Sequence, residues 1–205
     1  MIVDDHIAPN LINSSVWAKM FYFLYRIFVA KFLSNQTDIF IPVTESVKNV
    51  MTQVYGLSGT FRVIEHGADQ KIFYPSKQLR QNFRFKHKID AKEFVLAYTG
   101  KIMEEKKVHL LIEAFFELRR TYLDIKLFIV GFSDPHYIER LRNRCSVYQI
   151  DSSVIFADPV ENSALGEVYN GVDLVVWPEG VTMSSLEAAM CGVPSVMRNL
   201  DDEIK

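Results

Sequence analysis

Two carboxylates near the end of the sequence are spaced so that they could bind a polyhydroxylated ligand. Glu179 follows the apolar run 174–177, and Glu187 comes after seven further residues. A carboxylate can accept two hydrogen bonds from a ribose diol, as the acidic residue of a dinucleotide-binding fold does. A second carboxylate further out could hold sugar hydroxyls, so the pair has the chemistry that a nucleotide sugar requires. The alternative interpretation is two solvent-facing acids at the start of a helix.

The residues between these glutamates predict a helix whose amino end could bind phosphate. Thr182 stands at the N-cap position, and Gly192 followed by Pro194 predicts the end of the helix. The first backbone N–H groups of such a helix are expected to be unpaired and to attract an anion. The residues predicted to bind the phosphates through backbone or hydroxyl groups are Thr182, Met183, Ser184 and Ser185.

The elements that must position these residues are clearest after residue 93. We predict strands at 94–99, 126–130, 154–156, 174–177 and 195–197, and helices at 106–121, 135–149, 161–170 and 183–191. The strands are unbroken apolar runs, which are typical of a parallel sheet covered on both faces. We therefore predict a doubly wound α/β domain, whose ligands bind beyond the carboxyl ends of the strands.

The chain before residue 93 divides into two zones. The pattern of residues 1–75 predicts three strands that alternate with two helices, and Thr44 is expected to cap the second helix. The segment 76–92 is predicted to be a solvated linker, because residues 71–88 contain six basic side chains and no acidic ones. A patch that touches phosphates or anionic lipid is the alternative. In the first zone the predicted elements are strands at 2–3, 38–43 and 61–64, a helix through residue 33 and a helix through residue 55.

Composition excludes several classes of protein. The formal charge of −2 provides no global field for nucleic acid. Two cysteines are too few for a disulfide framework or a cysteine zinc site, so both are predicted to be reduced and the protein cytoplasmic. The apolar stretch 16–33 is interrupted by three basic residues and does not predict a membrane span. It could instead dock on a membrane surface, or lie buried between domains.

The stretch EGVTMSSLEAAMCGVP, residues 179–194, resembles the glutamate-seven-glutamate signature of the group-1, family-4-like retaining glycosyltransferases of GT-B fold. Four further segments resemble motifs of that family in the same order along the chain. They are 38–46, similar to A-D-x-V-I-x-x-S; 62–75, similar to V-I-x-N-G-V-D-x-x-x-F-x-P; 99–115, similar to G-R-x-x-x-x-K-G-x-x-x-L-I-x-A-F; and 127–131, similar to the turn after the second strand.

The resemblance implies roles for individual residues. Glu187 would bind the donor ribose and Glu179 the donor sugar, while Lys101 and Lys106 would neutralise the pyrophosphate of the leaving group. His6 would face the acceptor. Gly100 and Gly131 would belong to the donor-binding loops. No metal or other cofactor is expected, because cationic side chains would cover the phosphates.

The same resemblance implies domains, activity and partners. Residues 1–75 would be the last part of the acceptor domain, residues 93–205 a truncated donor domain, and the chain a fragment of a longer protein. The expected activity is transfer of a sugar from a nucleoside diphosphate sugar to a hydroxyl acceptor, with retention of configuration, in polysaccharide biosynthesis. The acceptor would be a glycan or a lipid-linked molecule, and residues 16–33 could contact the inner face of a membrane.

Two departures from the family pattern leave other functions open. Lys107 and Thr182 stand where the family has glycine, which puts the shape of both loops in question. A catalytically degenerate nucleotide-binding partner module is therefore one alternative. A GT-B sugar-nucleotide epimerase is another.

Overall fold

The computed structural model describes residues 16–180 and 182–198. The chain forms two compact units, Met1–His66 and Gly67–Lys205. The boundary therefore lies nine residues before the expected end of the first zone at residue 75. Residues 67–92 belong to the second unit, which corrects the expectation that residues 76–92 form a linker between two domains.

The second unit is built on a five-stranded parallel sheet, which confirms the predicted fold class. Its strand order is β3-β2-β1-β4-β5, so the direction of winding reverses between β1 and β4. The predicted strands are all present, with ends that differ by at most one residue. They are β1 (Phe94–Thr99), β2 (Ile125–Val130), β3 (Val154–Ala157), β4 (Leu174–Trp177) and β5 (Ser195–Met197).

Helices connect these strands and cover the sheet. Because parallel crossovers are right-handed, the reversal between β1 and β4 places the helices that follow β1 and β2 on one face and those that follow β3 and β4 on the other. The contacts agree, since α5 packs on α6 and α7 packs on α4 and α8. The helices are α4 (Lys77–Lys86), α5 (Val108–Arg119), α6 (Pro135–Val147), α7 (Asn162–Gly171) and α8 (Met183–Met190), with 3-10 turns at Glu104–Lys106 and Asp151–Ser153.

The helix α4 replaces the solvated linker expected from the sequence. Ser76 caps it by accepting a hydrogen bond from the N–H of Leu79. Phe83 is 1% exposed and packs edge-on against Phe128 of β2, so the helix carries part of the core. The basic residues Arg80 and Arg84 face the protein and bind Asp173. A patch that touches phosphates or anionic lipid would need these side chains to point to the solvent, whereas both point to Asp173.

Asp173 joins three elements just before β4 begins. Its carboxylate lies 2.6 Å from Arg80 and 2.7 Å from Arg84, and it also accepts the N–H of Val95 at 2.7 Å. The Arg84 guanidinium is buried and donates as well to the carbonyl of Gly171. Burial lowers the pKa of Arg84, and the charge of Asp173 opposes that effect. The cluster thus fastens α4 to the end of α7 and to the start of β1.

The described part of the first unit, residues 16–66, consists mainly of two helical segments. A continuous helix runs from α1 (Val16–Leu24) through a π-helical segment (Tyr25–Ala30) into α2 (Lys31–Gln36). Thr44 caps the next helix as predicted, by accepting the N–H of Val47. The expected strands 38–43 and 61–64 are reduced to one parallel bridge between Phe40 and Phe61, so those two predictions are wrong in extent. The second helix comprises α3 (Glu45–Asn49) and a π-helical segment (Val50–Val54).

Within the described residues, no helix combines the length and the apolar character needed to cross a bilayer. The predicted strand at 2–3 lies outside those residues.

Substitution of Gly171 by alanine tests the packing of α4. A Cβ at this position would overlap the ring of Phe83, so we expect Gly171→Ala to lower the free energy of unfolding by about 2 kcal/mol. Gly67→Ala is the matched control, because a Cβ there meets no atom within 4 Å. Urea unfolding of both variants measures the difference. Equal stability of the two variants would contradict the described contact between α4 and α7.

Substitution of Asp173 by asparagine tests the cluster. The change leaves the buried Arg84 guanidinium without its counter-charge, which we expect to lower the free energy of unfolding by about 3 kcal/mol. Asp158→Asn, in an exposed loop after β3, should change it by less than about 0.5 kcal/mol. Urea unfolding again provides the measurement, and a neutral Asp173→Asn would show that α4 is held by its apolar contacts alone.

Candidate functional site

The loop after β1 forms one wall of a cleft at the carboxyl edge of the sheet. Gly100 and Lys101 leave the strand directly, and the hydroxyl of Tyr98 donates to the carbonyl of Lys101 at 2.7 Å. The 3-10 turn Glu104–Lys106 then brings Lys106 back to the same edge. Lys101 and Lys106 are exposed and both line the cleft. Neither has an ion-pair partner among the described residues.

The loop after β4 forms the opposite wall. Trp177 ends the strand, and its indole N–H donates to the carbonyl of Thr99 at 2.8 Å, which joins the ends of β4 and β1. Glu179, Gly180 and Thr182 follow and line the cleft. The space between the two walls measures about 390 Å³. It lies where the winding of the sheet reverses, the position at which open α/β sheets bind their ligands.

An ion pair connects the loop after β1 with the loop after β4. The Nζ of Lys107 lies 2.9 Å from Oε2 of Glu179. That oxygen is buried and has no hydrogen-bond partner among the residues that the structure describes, so the contact has the distance of an ion pair without the geometry of a hydrogen bond. Lys107 itself adopts the left-handed conformation, with φ of 53°, between the 3-10 turn and α5. The predicted helix 106–121 therefore begins two residues later, at Val108.

Glu187 is connected to the cleft through two other side chains. Its Oε2 lies 3.4 Å from the hydroxyl of Tyr169, which lies 3.0 Å from the hydroxyl of Thr99, a residue of the cleft. Burial raises the pKa of Glu187, and hydrogen bonds with Tyr169, Asn162 and Ser184 partly oppose the effect. Burial likewise raises the pKa of Tyr169 to about 12, so this phenol remains a neutral bridge between the two groups.

The amino end of α8 is partly as predicted. Thr182 is the N-cap, but its hydroxyl makes no capping hydrogen bond. The carbonyl of Thr182 accepts both the N–H of Ser185 at 2.9 Å and its hydroxyl at 2.6 Å. The expectation that Ser185 offers unpaired donors is therefore corrected: a tight turn uses both groups. Met183 and Ser184 remain at the first turn of the helix, beside the cleft wall.

The structure brings five of the predicted site residues together. Gly100, Lys101, Lys106, Glu179 and Thr182 line one cleft. Among the other predicted residues, Met183, Ser184, Ser185 and Glu187 lie on α8 next to it, and Gly131 lies behind the β1 loop. His6 is outside the described residues.

Gly131 has a backbone role in shaping the cleft. Its φ is 150°, and a Cβ at this position would overlap the carbonyl group of Gly100. The loops after β1 and β2 therefore approach each other directly, and they continue to pair beyond the strands, because Ile102 donates to the carbonyl of Phe132 at 2.7 Å. Gly131 positions the loop that carries Lys101 rather than lining the cleft itself.

Sequence reasoning missed three side chains that shape the site. Tyr98 and Trp177 belong to apolar runs and were indistinguishable from core residues, although their polar atoms bind the loops. Tyr169 lies in α7, more than fifteen residues before Glu187, so nothing in the local pattern connects them. The only available signal was that a buried tyrosine or tryptophan needs a hydrogen-bond partner.

Metal binding has no support from the part of the chain that is described. No group of three or more histidine, cysteine, aspartate or glutamate side chains there is arranged to hold a metal ion. The expectation that no metal is needed stays a prediction.

Comparison with known proteins identifies the family. Residues 80–203 match the family described as glycosyl transferases group 1. A GDP-mannose-dependent alpha-(1-6)-phosphatidylinositol monomannoside mannosyltransferase from Mycolicibacterium smegmatis is 26% identical over 174 residues, which cover 80% of this chain and 45% of that protein. The capsular polysaccharide biosynthesis glycosyltransferase CapM from Staphylococcus aureus is 26% identical over 82% of this chain and 45% of its own.

Solved structures confirm the fold. The crystal structure of Anabaena Alr3699/HepE in complex with UDP superposes with a TM-score of 0.72 and 18% identity, over 94% of this chain and 51% of that one. Such neighbours have the GT-B fold, and at this identity the similarity concerns the fold alone. The chain spans about half the length of the curated relatives that it matches. Because the family match covers more than half of its 205 residues, the protein belongs to the glycosyl transferases group 1 family.

Proposed function

We propose that this protein takes part in the transfer of a sugar from a nucleoside diphosphate sugar to a hydroxyl acceptor, with retention of anomeric configuration. The observation that carries the proposal is the cleft between β1 and β4. It presents two lysines without ion-pair partners in the described part of the chain on one wall and a carboxylate on the other. A pyrophosphate needs the first of these features, and a sugar ring with several hydroxyls suits the second.

The lysines would act on the leaving group. When the bond between the anomeric carbon and the phosphate oxygen breaks, its electron pair stays on the nucleoside diphosphate. Lys101 and Lys106 would stabilise this charge, and the first turn of α8 adds its helix dipole. Both lysines are on a loop held by Tyr98 and Gly131, so little reorganisation is needed as the charge develops. This arrangement is also why we expect no metal requirement.

The carboxylates would bind the two sugars of the donor. Glu179 would hold hydroxyls of the transferred sugar, and Glu187, oriented by Tyr169, would hold the ribose. The acceptor hydroxyl would attack the anomeric carbon from the face that the phosphate leaves. Its proton would pass to a phosphate oxygen of the departing nucleotide, which gives retention without a separate base. His6 is proposed to face the acceptor.

The partners of the reaction are proposed by analogy with the relatives. The M. smegmatis relative is named as GDP-mannose-dependent, and Anabaena Alr3699/HepE was crystallised with UDP. A nucleoside diphosphate sugar is therefore the proposed donor, and a glycan or lipid-linked hydroxyl the proposed acceptor. The two buried free cysteines, Cys145 and Cys191, support a cytoplasmic location.

Peripheral membrane contact is a further proposal for the first unit. Several large apolar side chains of the helix that contains α1 are more than half exposed, including Trp17 at 76% and Phe28 at 68%. Interfacial helices place such side chains among lipid headgroups. A helix buried by another domain remains the competing interpretation, and binding to anionic vesicles distinguishes the two.

A nucleotide-binding module without catalysis is the second candidate function. The observation in its favour is the ion pair of Lys107 with Glu179, because the carboxylate expected to hold the sugar already has a partner. Turnover of a donor panel by the full-length protein separates the candidates: the module binds nucleotide and transfers nothing.

Substitution of Lys106 by alanine tests the phosphate site. We expect Lys106→Ala to weaken binding of UDP, GDP or ADP, whichever the protein binds, by about tenfold, because one charge-assisted contact to the pyrophosphate is lost. Lys101→Ala should behave similarly. The measurement is calorimetric titration, and the loss should shrink as salt rises.

The matched control is Lys92→Ala. Lys92 is exposed and lies just before β1, at the opposite edge of the sheet from the cleft. Its removal changes the net charge equally but should leave the dissociation constant within about twofold. If Lys92→Ala and Lys106→Ala weaken binding alike, the effect is one of global charge and the cleft is not the phosphate site.

Substitution of Glu187 by glutamine should raise stability while it weakens nucleotide binding. The pKa of Glu187 is raised in the folded protein, so protonation of this carboxyl group stabilises the folded state. That stabilisation is complete below about pH 4.5 and is lost as the pH rises through the folded pKa. Glu187→Gln should therefore melt at a higher temperature than the wild type at pH 7, and the difference should vanish below pH 4.5. Thermal melts across pH provide the measurement.

The exposed Glu139→Gln on α6 controls for the loss of one negative charge. A Glu187→Gln variant that melts below the wild type at pH 7 would contradict the burial of this carboxylate. A gain in stability without any loss of nucleotide affinity would contradict its assignment to the ribose.

A further inference from the structure

The ion pair of Lys107 and Glu179 joins a residue that lines the cleft to a residue of the β1 loop that does not. Glu179 lines the cleft, whereas Lys107 does not. The two side chains are 35% and 40% exposed, and Nζ of Lys107 lies 2.9 Å from Oε2 of Glu179. Since Oε2 is buried and the side chain is not, the rest of the carboxylate is the part available to a ligand.

We propose that Lys107 is a positioning residue for the sugar of the donor. By covering Oε2, its ammonium group holds the Glu179 carboxylate so that Oε1 faces the cleft and can accept hydrogen bonds from sugar hydroxyls. This inference rests on the proposed function, because Glu179 has a sugar to bind only if the cleft holds a nucleotide sugar.

The three lysines of this loop differ in position and therefore in the role that we propose for each. Lys101 and Lys106 line the cleft and have no ion-pair partner in the described part of the chain. Lys107 instead forms an ion pair with Glu179. A pyrophosphate would therefore meet the first two ammonium groups, and the third would act on the ligand only through the carboxylate. Loss of the Lys107 side chain should then weaken binding of the donor sugar and leave binding of the nucleotide part unchanged.

The backbone at Lys107 makes this role separable from folding. With φ of 53°, the residue is in the left-handed region that glycine adopts without cost. Replacement by glycine removes the side chain and relieves the backbone at the same time. The relief of the backbone opposes the loss of the ion pair, so we expect the melting temperature of Lys107→Gly to stay close to that of the wild type, which a thermal melt of the variant checks.

The experiment compares ligands with and without a sugar on the full-length protein. Calorimetric titrations with UDP, GDP and ADP are set beside UDP-glucose, GDP-mannose and ADP-glucose, for the wild type, Lys107→Gly and Lys107→Arg. We expect Lys107→Gly to bind the nucleoside diphosphate within about twofold of the wild type and the nucleotide sugar about tenfold more weakly. Lys107→Arg, which keeps the charge, should restore most of the difference.

A second arm tests whether the effect passes through Glu179. In a Glu179→Gln background, Lys107→Gly should cause no further loss of affinity for the nucleotide sugar. Equal weakening of both ligand classes, tighter binding of the nucleotide sugar, or a loss that persists in the Glu179→Gln background would each overturn the positioning role and leave the proposed function intact. Failure of the wild type to bind any of the six ligands would overturn the proposed function, and this inference with it.

Discussion

The strands β1 and β4 lie side by side although three helical crossovers separate them in the chain, and this adjacency creates the cleft. Only two residue pairs form their ladder, so the pairing depends on side chains at both ends. At the amino ends, Asp173 accepts the N–H of Val95 while it also holds Arg80 and Arg84. At the carboxyl ends, Trp177 donates to the carbonyl of Thr99. These contacts fix the two loops that carry Lys106 and Glu179 at one edge of the sheet.

Much of this arrangement could be predicted from the sequence. Strands buried on both faces read as unbroken apolar runs, so the bounds of β1 and β4 were predicted to the residue. The doubly wound topology then placed Lys101, Lys106 and Glu179 at a common edge. Local turn chemistry also sufficed for Thr182, whose place as N-cap depends only on the residues that follow it.

The remaining features depend on partners that are distant in the chain. The segment 76–92 looked like a linker because its helix α4 buries only one large apolar side chain, Phe83, among basic residues. Arg80 and Arg84 gain their structural meaning from Asp173, about ninety residues later. Lys107 was noted only as a departure from the family pattern, since its contact with Glu179 requires the fold to bring the two loops together.

Locally unfavourable choices concentrate beside the cleft, which is itself an argument for function. Three residues other than glycine have positive φ in the described part of the chain. Lys88 and Gln149 do so just after α-helices end, where this conformation is common, whereas Lys107 leads into a helix and carries an ion pair to the cleft. Glu187 keeps a carboxylate where burial raises its pKa, although a neutral side chain would be more stable there. Folding alone explains neither residue, but a site that must hold phosphates and sugar hydroxyls requires such charges.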